Sequence, residues 1–262
     1  MGFHSKLKKG LYFLSIHLYS FIMINTYAES HLHKTLKNLY AADSQGTVEQ
    51  EVAGKICDIV AKDGSIIEIQ TGSLSKLHGK LGLLLPHYKV KVVYPLVVRK
   101  TIETRKKDGT LVSCRKSPKK QCLLDMFAEL TTIFPYLLDK NFTLEVLEVS
   151  VVEHRIKEDA PVQLANKSRR FKRDWYKEDK SLKEIHATHQ FACKKDYLEL
   201  LPKELPENFT IKEASNLLKG RNVPRMLWVL RKMGLVEQVG KQGRSLVLKK
   251  READDESSPP LK

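Results

Sequence analysis

The segment GKICDIVAKDGSIIEIQTG, residues 54–72, constrains the fold more than any other part of the chain. Its Ile and Val residues favour strands, and Lys62-Asp63-Gly64 suits a three-residue hairpin loop with Gly64 in the left-handed region. In that register Asp58 lies opposite Glu68, and both point to the same face as Gln70. The opposite face is apolar and consists of Cys57, Ile59, Ala61, Ile67 and Ile69.

The two acids are the unusual feature of this hairpin. Their face also carries Ile56, Val60 and Ile66, so it is only half polar. A carboxylate beside apolar side chains is costly unless it binds a cation, which favours a functional site over a hairpin with a solvated polar side. A two-residue Asp-Gly loop is the alternative register, and it would place Asp58 and Glu68 on opposite faces.

The charge of the chain favours a polyanionic partner. The 262 residues carry a formal net charge of +15, with 42% hydrophobic and 29% charged residues, a balance typical of a globular protein. This surplus predicts nucleic acid as the partner, or less often an anionic membrane. The four cysteines are scattered without a CxxC pair, so we expect free thiols in a reducing compartment.

Residues 1–25 are interpreted as an N-terminal extension that need not be native. Three lysines precede the apolar run Leu11–Ile24, as in a signal sequence. The run is shorter than the roughly 20 residues that cross a bilayer, and Met23 offers an alternative start. We therefore expect a cytoplasmic protein without a membrane span.

Patterning divides the rest of the chain into two units. An α/β domain is predicted over residues 26–157, a basic linker over 158–180, a second unit over 181–250 and a disordered acidic tail over 251–262. The first domain is predicted to contain helices at Thr26–Tyr40, Ser73 to Leu84 or Leu85, and Leu123–Leu138, and strands at Thr47–Val52, Lys55–Ala61, Ser65–Thr71, Lys89–Val98 and Thr143–Glu153.

Two basic regions are candidates for binding nucleic acid. Residues 99–120 form a charged hairpin or loop with nine Lys/Arg against two acids, and residues 207–250 carry ten Lys/Arg against three acids. A charge run usually lines a solvated face, but these surpluses exceed what solubility requires. The candidates are Arg115, Lys116, Lys119 and Lys120 in the first region and Arg225, Trp228, Arg231, Lys232, Lys241 and Arg244 in the second.

The second unit resembles a winged helix-turn-helix domain. Thr210 is predicted to cap a helix at Ile211–Leu218, Asn222 to cap a second helix that Gly234 ends, and VEQVGKQGRSLVLKK to form a two-stranded wing. The resemblance implies duplex DNA as the partner, because this fold places its second helix in the major groove. Protein docking is the alternative role of such a domain.

The first domain resembles the PD-(D/E)XK, or restriction-endonuclease-like, nuclease superfamily. The superfamily pattern is a helical glutamate, an Asp and a Glu-x-Lys on a hairpin, a helix and another strand. These positions match Glu29, Asp58 and Glu68-Ile69-Gln70, so Gln70 replaces the lysine. In some members the lysine has moved to the following helix, where Lys76 is the first candidate and Lys80 the reserve. Glu51 is a weaker additional candidate.

The resemblance implies an α/β mixed sheet with flanking helices and a hydrolase that depends on Mg²⁺ or Mn²⁺. Asp58, Glu68 and the backbone carbonyl of Ile69 would hold the metal, which polarises the phosphate and lowers the pKa of an attacking water. A lysine would stabilise developing charge, which Gln70 cannot do. We expect a DNA endonuclease; an inactive DNA-binding regulator or scaffold and an RNA-processing enzyme are the alternatives, and a homodimer stays open.

Overall fold

A computed structural model describes residues 29–162 and 173–251. The helices within these ranges are α1 (His31–Asp43), α2 (His78–Leu84), α3 (Phe127–Leu130), α4 (Lys194–Leu198), α5 (Ile211–Leu218) and α6 (Val223–Lys232). The strands are β1 (Thr47–Val52), β2 (Lys55–Val60), β3 (Ile66–Ile69), β4 (Val90–Arg105), β5 (Leu111–Lys116), β6 (Phe142–Val162), β7 (Arg173–Phe191), β8 (Asn208–Thr210), β9 (Val236–Gln242) and β10 (Ser245–Lys250).

A large mixed sheet forms the centre of the molecule. Its strand order is β1-β2-β3-β4-β6-β7, and β5 pairs with the far half of β4. The first three strands form an antiparallel meander, whereas β3 is parallel to β4 and β4 is parallel to β6. Parallel neighbours need a crossover, and α2 lies within the first one, between β3 and β4.

Helices cover both faces of this sheet. The buried Leu32 and Leu36 of α1 pack on one face against Ile59, Ile67 and Val93. The other face is covered by α2, by the segment 123–137 and by the C-terminal helices, which share one continuous hydrophobic cluster. The expected α/β architecture, a mixed sheet with flanking helices, is therefore confirmed.

The C-terminal unit contains α4, β8, α5, α6, β9 and β10 in that order, and its three strands form a small sheet in the order β8-β10-β9. Its helices pack on the first domain. Asp125 accepts hydrogen bonds from Arg221 Nε at 2.9 Å and from Asn222 Nδ2 at 2.5 Å. Because the two units share a core, the second unit is not an independent module on a flexible tether.

The structure differs from the expected organisation after residue 157. The segment predicted as a basic linker, 158–180, contributes its described residues to β6 and β7, which pair as a long antiparallel hairpin. Residues 181–191, predicted to begin the second unit, also belong to β7, so that unit starts after Phe191. The reason is that both strands are charged and largely exposed in this part, which gives no alternating apolar pattern.

Two helix predictions also change. The helix predicted at Leu123–Leu138 is divided into two short 3-10 turns and the four-residue α3, since β-branched Thr131 to Ile133 and then Pro135 interrupt it. Helix α1 begins at His31, after the N-cap Ser30.

The predicted extension 1–25 and residues 252–262 of the predicted tail lie outside the described residues. No helix in the described part of the chain is long and apolar enough to cross a membrane.

Candidate active site

The hairpin of β2 and β3 has the three-residue loop. Ile59 pairs with Ile67 and Val60 with Ile66, while the Ala61 N–H donates to the Ser65 carbonyl at 2.8 Å. Gly64 has a φ of 80°, in the region that only glycine adopts without strain. This register, rather than the two-residue alternative, therefore places Asp58 across from Glu68.

Asp58 and Glu68 each accept a hydrogen bond from the backbone of the opposing strand. The Asp58 N–H donates to Glu68 Oε1 at 3.3 Å, and the Ile69 N–H donates to Asp58 Oδ2 at 2.8 Å. The backbone pairing of the two strands ends one residue earlier, at Ile59 and Ile67. The strands thus separate at the two carboxylates, which occupy the space between them.

Lys80 of α2 completes this group. Its Nζ lies 2.6 Å from Oε1 and from Oε2 of Glu68, and it donates to the Ile56 carbonyl at 2.6 Å. Glu68 is only 3% exposed. Burial and the negative charge of Asp58 raise the pKa of Glu68 above its ordinary value, although Lys80 opposes this. A further cation near the pair would be stabilised by both carboxylates.

Lys76, the first candidate for the displaced lysine, is exposed. Within the described residues it forms no hydrogen bond or ion pair with Glu68, whereas Lys80 does. The helix predicted after Ser73 begins with a 3-10 turn, Leu74–Leu77, before α2. Leu74 and Leu77 point into the core at the three-residue spacing of that turn, which leaves Lys76 outside. The lysine beside Glu68 is therefore the reserve candidate, Lys80.

His33 joins Glu29 to the hairpin. Its Nδ1 is hydrogen-bonded to Glu29 Oε1, and its Nε2 lies 3.3 Å from Asp58 Oδ2. Burial alone would lower the pKa of His33, but the carboxylates of Asp58 and Glu29 raise it. Burial likewise would raise the pKa of Asp58, but His33, the Ile69 N–H and Lys80 hold it below its usual value. Glu29 thus contacts the site through His33.

Further ion pairs connect Glu29 to residues away from the hairpin. Lys37, only 6% exposed, lies 2.8 Å from Glu29 Oε1 and 2.8 Å from Glu49 Oε1. Burial would raise the pKa of Glu29, but its bonds with Lys37 and His33 lower it. The sequence interpretation missed His33 and Lys37. The signal was available, because Glu29, His33 and Lys37 follow one another at the four-residue spacing of one helical turn. Glu29 itself, expected to be helical, lies just before α1.

The remaining predicted site residues lie around this group. The Gln70 N–H donates to the Val93 carbonyl at 2.9 Å, and its side chain is half-buried beside the end of β3. Ile69 is buried within the sheet. Glu51 lies on β1, where it pairs with Ile56 and is exposed to solvent.

The donor set is compatible in its chemistry with a hard divalent cation, because Asp58 and Glu68 offer carboxylate oxygens and such a cation keeps several waters. Within the described ranges, however, no group of three or more His, Cys, Asp or Glu side chains could hold a metal ion. The Lys80 ammonium already contacts both oxygens of Glu68. Among side chains, a metal would therefore depend on Asp58 and on one shared oxygen of Glu68, with the Ile69 carbonyl and water as the other oxygen ligands.

The first group of nucleic-acid-binding candidates lies on and after β5. Arg115 and Lys116 are exposed on this strand, and Lys119 and Lys120 are exposed in the segment that follows it. Strand β5 pairs with the far half of β4, at Thr101 to Arg105, whereas β3 pairs with the beginning of β4. Strands β3 and β5 therefore lie along the same edge of β4. The carboxylate pair and the cations of β5 are both on that edge.

The second group contains arginines that are hydrogen-bonded within the chain and cations that are exposed near a hairpin tip. On α6, Arg225 donates to Asn222 Oδ1 at 2.7 Å and Arg231 to Gln238 Oε1 at 3.2 Å, while Trp228 packs edge-on against Phe134 with ring centroids 5.4 Å apart. Lys232 lies 5.9 Å from the Trp228 ring centre. Lys241 and Arg244 are exposed on either side of the tip of the β9–β10 hairpin.

Comparison with known proteins identifies a family without an assigned activity. A family model described as "Domain of unknown function (DUF8091)" matches residues 30–192, and the chain belongs to this family. It is 32% identical over 241 residues to an "Uncharacterized protein" of Treponema pallidum (strain Nichols), covering 90% of this chain and 91% of that protein. No solved structure matches the chain. The family model covers the large sheet and α1, with the carboxylate pair.

Proposed function

We propose that this member of the DUF8091 family is a metal-dependent nuclease that hydrolyses phosphodiester bonds in DNA. The observation that carries the proposal is the contact of Lys80 with Glu68, beside Asp58, where β2 and β3 separate. Two carboxylates and a lysine on a hairpin and the following helix are the residue types that this chemistry needs. Lys80 would supply the positive charge that Gln70 lacks.

The order of elements supports the same superfamily. The helix α1, the meander β1–β2–β3, the helix α2 and the parallel strand β4 follow the PD-(D/E)XK pattern, and the acids lie on the hairpin as that pattern requires. Glu29 lies just before α1 and reaches Asp58 through His33. The resemblance to this superfamily rests on topology and on these residues together.

A divalent metal, when bound, would polarise the scissile phosphate and lower the pKa of a bound water. Asp58 and Glu68 would hold it, with the Ile69 carbonyl as a further oxygen ligand. His33 positions the Asp58 carboxylate, and the Asp58 N–H positions Glu68. Lys80 would then be placed to stabilise negative charge that develops on the phosphate.

The C-terminal unit supports DNA as the substrate. The order α4, β8, α5, α6, β9, β10 and the strand order β8-β10-β9 resemble those of a winged helix, in which α6 would be the second helix of the helix-turn-helix. The exposed cations Lys241 and Arg244 lie on the wing. We therefore propose that this unit contributes to the binding of duplex DNA.

A DNA-binding protein without catalytic activity is the second candidate function. The observation that favours it is that no third His, Cys, Asp or Glu joins Asp58 and Glu68 as a possible metal ligand within the described part of the chain. The two functions differ in one measurable property, metal-dependent cleavage.

The test is cleavage of supercoiled plasmid and of a structured RNA with Mg²⁺ or Mn²⁺, each with a matched reaction in chelator. We expect Asp58→Asn and Glu68→Gln, which keep the side-chain shape, to abolish cleavage and to leave DNA binding intact. Glu204→Gln is the matched control, because Glu204 is an exposed acid of the C-terminal unit and is not among the candidate site residues. Cleavage by both site variants at the wild-type rate would place the active site elsewhere, and no wild-type cleavage would favour the second candidate.

A further inference from the structure

We propose that one face of strands β4, β6 and β7, in the part that extends past the candidate active site, binds the phosphate backbone of nucleic acid. This face, called the arm face below, consists of Lys100 on β4, Arg155 on β6, and Trp175, Lys177 and Lys180 on β7. The inference rests on the proposed function, since it assigns the substrate-binding surface of the same site. Lys100 lies in the basic region 99–120, and Trp175, Lys177 and Lys180 lie in the predicted basic linker, but none of the five residues is among the nucleic-acid-binding candidates indicated by the sequence.

Strand pairing places these side chains together. Lys100 pairs with Val151, Glu153 with Lys180, and Arg155 with Lys177 across the sheet. Residues that are paired, or two apart on one strand, share a face of the sheet. Val151 packs in the cluster beneath α1, so the arm face continues the α1 side of the sheet into solvent.

The arm face has more positive than negative charge. Glu153 is shared by two cations, since Lys100 Nζ lies 2.7 Å from its Oε2 and Arg155 Nε lies 2.7 Å from its Oε1. Lys180 is half-buried, its ammonium group makes no hydrogen bond or ion pair within the described ranges, and Lys177 is exposed. Burial, followed by the positive charges of Lys177 and Lys100, lowers the pKa of Lys180, although Glu153 opposes this. An anion here would relieve that repulsion.

Trp175 holds a guanidinium in place on this face. The Cζ atom of Arg155 lies 3.5 Å from the centre of the Trp175 ring, and that of Arg173 lies 4.7 Å from it. Stacking on an aromatic ring fixes a guanidinium plane. Because Arg155 Nε and Nη2 already donate to Glu153, only its remaining N–H groups are left for a phosphate. Lysines on an edge strand such as β7 also prevent strand addition. That role does not explain Lys100 and Arg155, which lie on internal strands.

The arm face begins next to the candidate active site. The His31 N–H at the start of α1 donates to Asp179 Oδ1 at 3.0 Å, and Asp179 directly precedes Lys180. His31 is two residues from both Glu29 and His33. From Val151 to Lys157 the strand advances by six residue steps, roughly 20 Å, which is about six phosphate steps along one strand of duplex DNA. The substrate class that fits is therefore an extended polyanion with regularly spaced phosphates.

The experiment is fluorescence anisotropy with a short labelled DNA duplex in chelator, so that cleavage does not interfere, at a series of salt concentrations. We expect Lys177→Ala/Lys180→Ala to weaken binding by roughly one to two orders of magnitude at 0.1 M salt and to reduce the slope of log affinity against log salt by about 1.8. Lys195→Ala/Lys203→Ala is the matched control, since both lysines are exposed in the C-terminal half and lie off the arm face. Thermal unfolding of both double variants checks the fold.

Three results decide the outcome. Equal affinity and slope in the wild type and the arm variant would overturn the inference, as would loss of binding to anionic phosphatidylserine vesicles with DNA binding unchanged. Weaker DNA binding in the arm variant alone would support it. The result is separable from the nuclease proposal: if Asp58→Asn and Glu68→Gln leave cleavage unchanged, that proposal fails, while the anisotropy result for the arm variant still stands.

Discussion

At the scale of single residues, the charge balance around Glu68 determines what the site can do. Glu68 is buried, accepts a hydrogen bond from the Asp58 N–H and contacts the Lys80 ammonium. Removing Lys80 would leave the Glu68 carboxylate buried without its cation, which is costly for stability. It would also remove the ammonium that contacts Glu68, so the proposed catalysis and the stability of the fold would both depend on this lysine.

The residue-scale prediction separates Lys80 from Lys76. Lys80→Ala is expected to lower single-turnover cleavage at saturating DNA by roughly a hundredfold or more, because a charge that stabilises the transition state contributes on this scale. DNA affinity should change little. The exposed Lys76 is the matched control, and Lys76→Ala should cleave normally. Full activity in Lys80→Ala, in a preparation whose circular dichroism matches the wild type, would contradict the assignment.

At the scale of elements, the β9–β10 hairpin presents cations without fixing them. Lys241 and Arg244 flank a tip where Gly243 has a φ of 61°. By contrast, Arg225 and Arg231 of α6 are hydrogen-bonded to Asn222 and Gln238, and Trp228 packs against Phe134. The wing therefore offers the more available contacts, whereas α6 is partly used for packing against the first domain.

The element-scale prediction concerns this wing. Lys241→Ala/Arg244→Ala should weaken duplex binding and reduce the salt slope by about 1.8, since each phosphate contact contributes about 0.9. The measurement is the same anisotropy titration, with Lys195→Ala/Lys203→Ala again as the reference. An unchanged slope would assign the C-terminal unit to protein docking. Combined with the arm variant, the losses should add if the two surfaces bind separate parts of one duplex.

At the scale of the whole molecule, Asp125 connects the two units. Burial alone would raise its pKa, but the hydrogen bonds from the Cys122 N–H, Arg221 and Asn222 hold it below the usual value. The Leu124 side chain beside it approaches Gly220, where an added Cβ would lie 3.1 Å from Leu124 Cδ1. The junction is therefore tightly packed as well as charged.

The prediction at this scale is a pH-dependent loss of stability. A carboxyl whose pKa is lower in the folded state stabilises the fold above its unfolded value, near 3.9, and loses this contribution as the pH falls through the folded value. Asp125→Asn should therefore lower the free energy of unfolding by about 2 kcal/mol at pH 7. The difference from the wild type should shrink below about pH 4.

Denaturant unfolding across this pH range measures that effect. Glu204→Gln is the control, because Glu204 is exposed and a change there should leave the free energy of unfolding unaltered. A loss in Asp125→Asn that is constant from neutral to acid pH would show that packing, and not the carboxylate, stabilises the junction. A single unfolding transition in the wild type is also expected, since the two units share one core.

The local features of the fold were predictable from the sequence because neighbouring residues determine them. Lys62-Asp63-Gly64 sets the hairpin register, and that register alone brings Asp58 across from Glu68. Turn and cap residues likewise set helix α5 and the two strands of the wing, whose bounds agree with the prediction. Thr210 caps α5 through its side chain, as its residue type suggests.

Tertiary packing determined the contacts that the sequence did not predict, because the residues that form them are distant from each other in the sequence. Lys80 reaches Glu68 since it shares a helix face with the buried Leu77, Leu81 and Leu84, which hold that face against the sheet. Strand β7 has no apolar alternation of its own, and its position follows from pairing with β6. The sequence by itself determined a hairpin with two facing acids; only the packed sheet decided which lysine meets them and which basic surface leads away from them.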